Sequence, residues 1–311
     1  MRTDNHSTVS QSILVLGVGE LGLSVLRHLA PLAARADSNV TVLLRASATE
    51  SQSPDKRRVI AQLRNLGVAM LAGDLVACSV SELAEMFAPF DTVISCAGFV
   101  AGRGTQLKLT QAALEAGIQR YFPWQFGVDY DLIGRGSPQD LFDEQLDVRD
   151  LLRAQDKTEW VIVSTGMFTS FLFAPVLGVV DLANDTVHAL GSLETAVTVT
   201  TPEDIGALTA SIVFAEPRIR NQVVYIAGDT VTYGQLASML EAVSGRAFQR
   251  VEWSVPFLEA QLAGDPEDSI KKYRAVFAQG KGVAWDRDVT FNKQQAIDVM
   301  DVERWARSNL S

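Results

Sequence analysis

The chain has 311 residues, of which 47% are hydrophobic and 21% are charged, a composition typical of globular proteins. Its formal net charge of −10 disfavours direct binding to nucleic acid, because that interaction needs lysine and arginine to neutralise phosphates. The two cysteines, Cys78 and Cys96, are too few for a disulfide framework, and no cluster of cysteine and histidine has metal-site spacing. The sequence has no apolar run of the roughly 18 residues that a membrane span needs and no secretory signal, so we expect a cytoplasmic protein.

Short β-branched runs alternate with helical patterns through the first half of the chain. The strands predicted from these runs are Ile13–Leu16, Val40–Leu44, Val68–Leu71, Thr92–Cys96, Arg120–Pro123 and Trp160–Ser164. The helices predicted between them are Leu21–Ala34, Asp55–Leu66, Val80–Phe87, Thr105–Ala116 and Gln139–Ala154. Continuous apolar strands separated by helices indicate an α/β fold with a doubly wound parallel sheet, in which ligands bind at the carboxyl ends of the strands.

After Gly166 the spacing of predicted elements becomes less regular. Thr201 and Pro202 indicate the start of a helix, and a further helix is expected to end at Gly245. We expect a disordered tail over residues 1–12, a first domain over residues 13–165, and a smaller mixed α/β region over residues 166–311. The smaller region is expected to pack on the first domain and to bind the substrate.

Three glycines follow the first predicted strand and open the first predicted helix. Gly17, Gly19 and Gly22 have the spacing G-x-G-x-x-G. In a dinucleotide-binding turn such glycines permit a tight turn, close approach of the backbone to a pyrophosphate, and close packing of the helix on the strand. Because the motif lies between a strand and a helix, it predicts that residues 13–165 form an NAD(P)-binding Rossmann domain.

The residue after the second predicted strand is basic. An acid at this position binds the ribose 2′-hydroxyl of NAD, whereas a basic residue accepts the 2′-phosphate of NADP. Arg45, with Arg57 and Arg58 nearby in the sequence, therefore predicts NADP(H) as cofactor. Asp74, after the third strand, is expected beneath the adenine, and the turn Ser95–Phe99 is expected beside the nicotinamide ribose.

The segment Ser137–Leu152 predicts an amphipathic helix in which Ser137 is the N-cap and Pro138 the first residue. A spacing of four from Leu141 puts Gln145 in the middle of the apolar face. A buried amide without partners costs about 1–3 kcal/mol. Gln145 is therefore either a core glutamine bonded to the backbone or a residue that faces a binding site.

Five segments together resemble the NmrA-like and isoflavone-reductase-like branch of the atypical short-chain dehydrogenases. They are GVGELG, GDL, DTVISCAG, the run from Gln106 to Asp129, which is the most specific, and DIGALTASIVF. The resemblance implies an N-terminal Rossmann domain and a smaller C-terminal substrate domain. It also implies one of two functions, since members are either NADPH-dependent reductases of phenolic and other secondary metabolites or NADP-binding regulators without evident turnover.

The resemblance also implies a set of site residues. The cofactor-binding residues expected from it and from the motifs above are Gly17, Gly19, Glu20, Leu21, Gly22, Arg45, Asp74, Leu75, Ala97, Gly98, Phe99, Gln125, Gln145 and Phe168. The residues expected at the reacting centre are Gln145, Trp124, Tyr130 and Phe168. Trp124 and Gln125 replace a serine and a glutamate that the family usually has beside the nicotinamide. Tyr130 is expected either to line the mouth of the pocket or to cap a loop.

One departure from the family concerns proton transfer. The reductases carry a lysine three residues after a phenylalanine, whereas here Phe142 is followed by Gln145 at that spacing. A lysine can protonate a substrate oxygen, but a glutamine can only donate a hydrogen bond. Neither Tyr121 nor Tyr130 has a lysine four residues later, so the usual Tyr-x-x-x-Lys pair is missing. Lys108 is expected to be a solvated charge.

The sequence therefore leads to two hypotheses. The first is an NADP(H)-dependent oxidoreductase that reduces a C=C, C=O or C=N bond of an apolar, ring-containing secondary metabolite, with an optional coupled cyclisation or isomerisation. Without the lysine, an electron-poor acceptor such as an iminium or conjugated system is the better substrate. The alternative is a non-catalytic NADP-sensing regulator of the NmrA type. Under the first hypothesis the partner is a small apolar molecule, with no nucleic acid, membrane or metal, and the protein is a monomer or homodimer.

Overall fold

The computed structural model describes residues 10–49, 53–99 and 102–310. Its strands are β1 Ser12–Leu16, β2 Asn39–Leu44, β3 Ala69–Ala72, β4 Thr92–Ser95, β5 Arg120–Phe122, β6 Glu159–Ser164, β7 Met167–Phe168, β8 Val180–Asp181, β9 Thr186–Leu190, β10 Ala196–Thr200, β11 Gln222–Tyr225, β12 Asp229–Thr232 and β13 Gln249–Trp253. Of the expected N-terminal tail, residues 1–9 lie outside the described residues, and Ser12 already belongs to β1.

The helices follow the strands in alternation through the first half of the chain. They are α1 Glu20–Arg35, α2 Ala46–Thr49, α3 Pro54–Asn65, α4 Val80–Phe87, α5 Thr105–Glu115, α6 Tyr130–Ile133, α7 Leu141–Arg153, α8 Thr169–Leu172, α9 Pro202–Val213, α10 Tyr233–Ser244, α11 Val255–Ala263, α12 Ser269–Ala278, α13 Phe291–Gln294 and α14 Val302–Asn309. A 3-10 turn, Arg287–Val289, precedes α13. None of the helices in the described ranges is long and apolar enough to cross a membrane.

The main sheet has seven strands in the order β11-β6-β5-β4-β1-β2-β3. The neighbouring pairs from β6 to β3 are parallel. The chain runs outward from β1 through β2 and β3 and then returns to β4 on the other side of β1, so the winding direction reverses beside β1. The predicted doubly wound α/β fold is thus confirmed, and all six predicted strands lie within one residue of their observed bounds.

The central strands are buried on both faces. Ile13, Leu14, Val15 and Leu16 of β1 are all fully buried. Consecutive apolar side chains point to opposite faces of a strand, so such a run is stable only where helices cover both faces of the sheet. This is why a continuous apolar run, rather than an alternating one, predicted the strands correctly.

The chain divides into two compact units whose segments alternate along the sequence. The first unit contains the described residues up to Trp124 together with Val148–Ile162 and Gly206–Gln222. The second contains Gln125–Asp147, Val163–Ile205 and the described residues from Val223 onward. A change of unit at Ile162 lies close to the boundary expected at residue 165, but the chain also changes unit within α7, α9 and β11.

The second unit contains two small sheets, ordered β12-β10-β7 and β13-β9-β8. Strand β10 is antiparallel to β12, whereas β13 is parallel to β9. Two helix ends in the second half are where the sequence predicts them. Helix α9 begins at Pro202 after Thr201, whose Oγ1 accepts a hydrogen bond from the backbone N–H of Asp204, and α10 ends at Gly245 in the left-handed conformation.

Helix α7 begins later than its sequence indicates. The prediction that Ser137 is the N-cap and Pro138 the first helical residue is wrong, because the helix starts at Leu141. The hydroxyl of Ser137 donates to the backbone carbonyl of Gln139 at 3.1 Å, and the backbone N–H of Phe142 donates to the same carbonyl at 3.0 Å. A separate turn therefore uses the hydroxyl that a helix cap would need.

A buried arginine holds the end of α9 within the first unit. Arg120, on β5, is fully buried, and its guanidinium donates to the backbone carbonyls of Val213 at 2.8 Å, Ile219 at 2.7 Å and Ile212 at 3.4 Å. The last carbonyls of a helix have no partner within the helix, so Arg120 supplies donors where they are missing. Burial lowers the pKa of Arg120 to about 10, which still leaves the guanidinium charged at neutral pH.

Helix α9 also approaches α1 closely at a glycine. A Cβ added at Gly206 would lie 2.3 Å from Oγ of Ser24 and 2.5 Å from its backbone carbonyl carbon. Both distances are shorter than van der Waals contact, and the second involves the main chain of α1. No side chain fits between these two helices at this point.

Substituting Gly206 by alanine is therefore expected to lower the free energy of unfolding. Although alanine normally favours a helix, the clash should outweigh that gain and cost about 1–3 kcal/mol. Gly264→Ala is the matched control, because its nearest contacts would lie at 3.6 and 3.7 Å. Denaturant unfolding of both variants measures the difference. Equal stability of the two variants would show that α1 and α9 can separate at no cost.

Candidate functional site

The turn between β1 and α1 leaves backbone exposed at the carboxyl edge of the sheet. Gly17 has φ +95°, and a Cβ at Gly22 would lie 2.2 Å from the carbonyl oxygen of Gly17, so neither position accepts a side chain without strain. A Cβ at Gly19 would meet nothing within 4 Å. Gly19 provides no side-chain cap to α1, so the first N–H groups of this 16-residue helix are available to an anion, with exposed Glu20 and buried Leu21 following it.

An ion pair joins the ends of β2 and β3. Nε of Arg45 lies 3.2 Å from Oδ2 of Asp74, while the Arg45 side chain is 61% exposed. The other carboxylate oxygen of Asp74 accepts hydrogen bonds from the backbone N–H of Val76 at 2.8 Å and of Ala77 at 3.1 Å. These backbone bonds, followed by the charge of Arg45, lower the pKa of Asp74. The ion pair thus holds the charge of Arg45 at the same edge of the sheet as the glycine turn.

The loop after β3 is held by a lysine. The ammonium of Lys108, on α5, donates to the backbone carbonyls of Val76 at 2.8 Å and Cys78 at 3.1 Å. Lys108 is half-buried, and its ammonium, which is expected to be solvated, also binds two carbonyls of a neighbouring loop. This contact fixes the loop that carries Asp74 and half-buried Leu75.

The segment after β4 packs against an aromatic ring that follows β5. A Cβ at Gly98 would lie 3.1 Å from Cζ2 of Trp124, and the rings of Phe99 and Trp124 meet edge to face at 4.6 Å. Nε2 of buried Gln106 donates to the carbonyl of Ala97 at 2.8 Å. Gln106 was not among the predicted site residues, although an amide in the first turn of a helix next to the motif was a signal for it.

Cys96 is a packing residue rather than a nucleophile. Its side chain is buried, and a Cβ at Gly22 would lie 3.3 Å from its Cβ. Burial raises the pKa of the Cys96 thiol to about 12, so the thiol stays protonated at neutral pH. A small residue is needed here because the glycine turn approaches the end of β4.

The first unit thus brings most of the predicted site residues to one edge of the sheet. Because the carboxyl ends of parallel strands share an edge of the sheet, residues from different strands meet there. Those placed after β1 to β5 are Gly17, Gly19, Glu20, Leu21, Gly22, Arg45, Asp74, Leu75, Ala97, Gly98, Phe99 and Trp124. No group of three or more histidine, cysteine, aspartate or glutamate residues in the described chain could hold a metal ion.

The remaining predicted residues belong to the second unit, where Gln145 lies on a buried face of α7. Its side chain is fully buried, and neither Oε1 nor Nε2 has a hydrogen-bond partner among the described residues. Nε2 of Gln125 donates to the backbone carbonyl of Gln145 at 2.8 Å. Gln125, expected at the cofactor, therefore supports the main chain of α7, while the Gln145 amide itself is not bonded to the backbone.

A row of aromatic rings surrounds the start of α7. The ring of Phe142 meets that of Tyr130 at 5.0 Å and that of Tyr273 at 6.1 Å, and Phe171 meets Tyr273 at 5.7 Å, all edge to face. Tyr130 is 2% exposed, and a Cβ at Gly127 would lie 2.6 Å from its hydroxyl oxygen. Burial raises the pKa of Tyr273 to about 12, so this row is uncharged at neutral pH.

Phe168 lies at the end of β7 and is half-buried. It pairs with Thr200 of β10 through the short parallel ladder between these strands. The structure therefore places Phe168 in the same unit as Gln125, Tyr130 and Gln145. The second unit supplies neutral amides and aromatic rings, whereas the first supplies a glycine turn, a helix N-terminus and a positioned arginine.

Comparison with known proteins identifies the family. A sequence model of the NmrA-like family matches residues 9–287. The chain belongs to the NmrA-like family. An NmrA-like family domain-containing oxidoreductase of Gibberella moniliformis (strain M3125 / FGSC 7600) is 48% identical over 301 residues, covering 96% of this chain and 98% of that protein.

Plant reductases are more distant relatives of this NmrA-like chain. Phenylcoumaran benzylic ether reductase 1 of Arabidopsis thaliana is 29% identical over 249 residues, covering 78% of this chain and 77% of that protein. The binary complex of leucoanthocyanidin reductase with NADPH from Vitis vinifera matches with a TM-score of 0.77 at 21% identity, covering 94% of this chain and 97% of that one. The resemblance seen in the sequence and the expected fold are both confirmed.

The burial of Cys96 predicts a difference in reactivity between the two cysteines. At pH 8 a thiol of pKa about 12 is ionised to only about one part in ten thousand, and only the thiolate reacts. Mass spectrometry after treatment with iodoacetamide is expected to find one label, on half-buried Cys78, in the native protein and two after denaturation. Cys78→Ser is the control and should take up no label while folded. Native labelling of Cys96 as fast as Cys78 would refute its burial.

Proposed function

We propose that this NmrA-like protein is an NADP(H)-dependent oxidoreductase that reduces a ring-containing, largely apolar metabolite. The observation that carries the proposal is the glycine turn at the N-terminus of α1 together with Arg45 at the end of β2. Support comes from the 48% identical oxidoreductase and from the NADPH complex of a protein with the same fold. When bound, NADPH supplies a hydride to the acceptor.

The residues of the first unit fit this cofactor. A Cβ at Gly22 would meet the Gly17 carbonyl oxygen at 2.2 Å, and the position of Gly19 is open, so the backbone itself offers donors to a pyrophosphate. Arg45 would hold the 2′-phosphate, because Asp74 engages its Nε and thereby limits the directions in which the guanidinium can point. The segment of Ala97 and Gly98, fixed by Gln106, would support the nicotinamide end.

On the substrate side, Gln145 takes the place of the lysine of related reductases. Its amide donates a hydrogen bond to a substrate oxygen or nitrogen but releases no proton near neutral pH. Any proton that the reduction requires comes from water. Reduction of an iminium carbon needs only a hydride, and a conjugated C=C bond needs a hydride plus one proton on carbon, so both suit this site better than a simple ketone.

The aromatic row of Tyr130, Phe142, Tyr273 and Phe171 supports the ring-containing class of substrate. Edge-to-face aromatic contacts are favourable, and a flat ligand can extend such a row. The rings of this row can also keep water from a reactive product, so a cyclisation or isomerisation coupled to the reduction belongs to this proposal.

A second candidate function is a non-catalytic NADP sensor, and the observation that favours it is the amide at Gln145. A sensor would bind both NADP⁺ and NADPH, oxidise neither in any substrate panel, and bind a protein partner in one nucleotide state only. Absorbance at 340 nm and co-purification with each nucleotide separate the two functions. Oxidation of NADPH by any acceptor at a rate proportional to protein concentration decides for the reductase.

Arg45→Ala is expected to weaken NADPH binding by about 10- to 100-fold, because a charge-assisted bond to phosphate contributes about 1.5–3 kcal/mol. Binding of NADH, which lacks the 2′-phosphate, should be unchanged. Isothermal titration calorimetry measures both constants. Arg64→Ala, an exposed arginine in the last turn of α3, is the matched control. A parallel loss of NADH binding would instead indicate damage to the fold.

Gln145→Lys is expected to give or increase activity on ketones and phenolic substrates, because an ammonium can protonate the oxygen that forms. Activity on iminium substrates should not increase, since that reduction needs no proton. Stopped-flow traces at 340 nm with panels of imines, enones and ketones measure both effects. Gln145→Met, which keeps the length and removes the polar atoms, is the control. If the unchanged protein reduces simple ketones as fast as imines, the assigned role of Gln145 is wrong.

A further inference from the structure

We propose that the open edge of strand β13 is a dimerisation surface, on which the same strand of a second copy of this chain pairs in the antiparallel direction. The strand is Gln249–Trp253, with the sequence QRVEW. The proposal goes beyond the proposed function and does not depend on it, because the whole strand lies in the second unit. Three observations carry it: the strand is exposed, its outward backbone groups are unpaired, and its charges complement each other in one register.

Strand β13 lies at the end of its sheet and is open to solvent. Among the described strands it pairs only with β9, in the sheet ordered β13-β9-β8. Its first four residues are exposed, and its last, Trp253, is half-buried. Proteins usually protect such an edge with a proline, a bulge or a covering segment, because its backbone can pair with another chain. Strand β13 contains no proline and is exposed along most of its length, so its edge is accessible to a second strand.

Two residues of β13 have backbone groups that face away from β9. The N–H of Gln249 and the carbonyl of Trp253 bond to the residues that flank β9, at 2.7 and 2.9 Å, so both face that strand. Backbone groups of successive residues point to alternate sides of a strand, so Val251 faces β9 as well. Arg250 and Glu252 therefore face outward. Their N–H and C=O groups have no hydrogen bond within the part of the chain that the structure describes.

Opposite charges meet in one antiparallel register of two such edges. The pairs that exchange backbone hydrogen bonds must come from the outward-facing residues, Arg250 and Glu252. A register that places Arg250 or Glu252 opposite its own counterpart brings like charges together, which is unfavourable. If Arg250 lies opposite Glu252 of the second copy, two-fold symmetry repeats this pair on the other side of the axis. Each pair then exchanges its backbone N–H and C=O groups and joins an arginine to a glutamate.

The two charged side chains are held on the strand and keep an atom for this pairing. Both terminal nitrogens of the Arg250 guanidinium bond to the carboxylate of Glu241, on α10, at 2.9 Å. Oε1 of Glu252 accepts a hydrogen bond from the backbone N–H of Leu193 at 2.8 Å. Nε of Arg250 and Oε2 of Glu252 take no hydrogen bond in the described chain. Side chains that are already fixed lose less conformational entropy when they pair.

Val251 gives the paired edges an apolar centre. In this register Val251 lies on the two-fold axis, opposite Val251 of the second copy, in a pair without backbone hydrogen bonds, where side chains come closest. It is 37% exposed, and Phe257, which is 44% exposed, has its ring 6.5 Å from that of Trp253. Val251 and Trp253 lie on the same face of the strand. A second copy would cover exposed apolar surface on this face, which favours association.

Disulfide cross-linking tests the register. In a Cys78→Ser background, Val251→Cys is expected to give a disulfide-linked dimer under mild oxidation, because Cα atoms of such a pair lie about 4.5 Å apart. Gln249→Cys, on the same face, is the matched control. Its counterpart would lie about 13 Å away along the strand, so it should stay monomeric on a non-reducing gel. Equal cross-linking of both variants, or none by Val251→Cys, would overturn the proposal.

Charge reversal tests the recognition. Sedimentation velocity of the unchanged protein at micromolar concentration is expected to show a dimer. Arg250→Glu and Glu252→Arg should each raise the dissociation constant of the dimer by about 10- to 100-fold, because both symmetric pairs then hold like charges. Arg307→Glu, which removes an exposed ion pair with Glu303 elsewhere in the same unit, is the control and should leave the dimer intact. A monomer of the unchanged protein, with the edge free or left to a different partner, would refute the proposal.

Mixing the two charge variants separates pairing from folding. One variant carries glutamate at both positions and the other carries arginine at both, so each repels its own copy and attracts the other. The mixture is expected to form a heterodimer with an affinity close to that of the unchanged dimer, which a misfolded variant could not do. No heterodimer, or a dimer of either variant alone as tight as that of the unchanged protein, would show that β13 is not the dimerisation surface.

Discussion

Helix α1 is constrained by main chain on two sides, and the first unit depends on this constraint. At Gly22 the helix meets the carbonyl oxygen of Gly17, and at Ser24 its backbone meets Gly206 of α9. Because no side chain fits at either contact, α1 cannot rotate or slide without separating from the sheet or from α9. Its N-terminal N–H groups therefore point in a fixed direction beside the ends of β1 and β4, where a dinucleotide site requires them.

The two units offer opposite kinds of surface to a ligand. The first combines a helix N-terminus with Arg45, which together suit phosphate groups. The second contains the aromatic row, which suits a flat molecule. A protein that transfers hydride from an anionic cofactor to an apolar ring needs both surfaces. A protein that only senses the nucleotide needs the first alone, and the amide of Gln145, which releases no proton near neutral pH, is compatible with that role.

Local sequence was sufficient for most of the sheet and for the glycine turn. Apolar runs and glycine spacing depend on neighbours in sequence, and the six strands lie within one residue of their predicted bounds. The contacts that local sequence does not show involve side chains whose partners are distant or unexpected. Lys108 binds backbone carbonyls about thirty residues away in the sequence. The hydroxyl of Ser137 donates a hydrogen bond within a local turn and does not cap α7. Gln139 was expected at the start of the helix, because no local pattern shows that its side-chain amide is buried without a hydrogen-bond partner among the described residues.

In the proposed reductase, an amide rather than a lysine at position 145 would change the electrostatics of the site as well as its acid chemistry. A lysine at this fully buried position would carry a charge whose desolvation lowers its pKa, which is useful to a reductase that must release a proton. A glutamine has no such charge, so the position carries a hydrogen-bonding group that stays neutral at every pH. The proposed reductase would therefore supply a hydrogen bond but no proton at this position, which would suit acceptors whose reduction needs no acid.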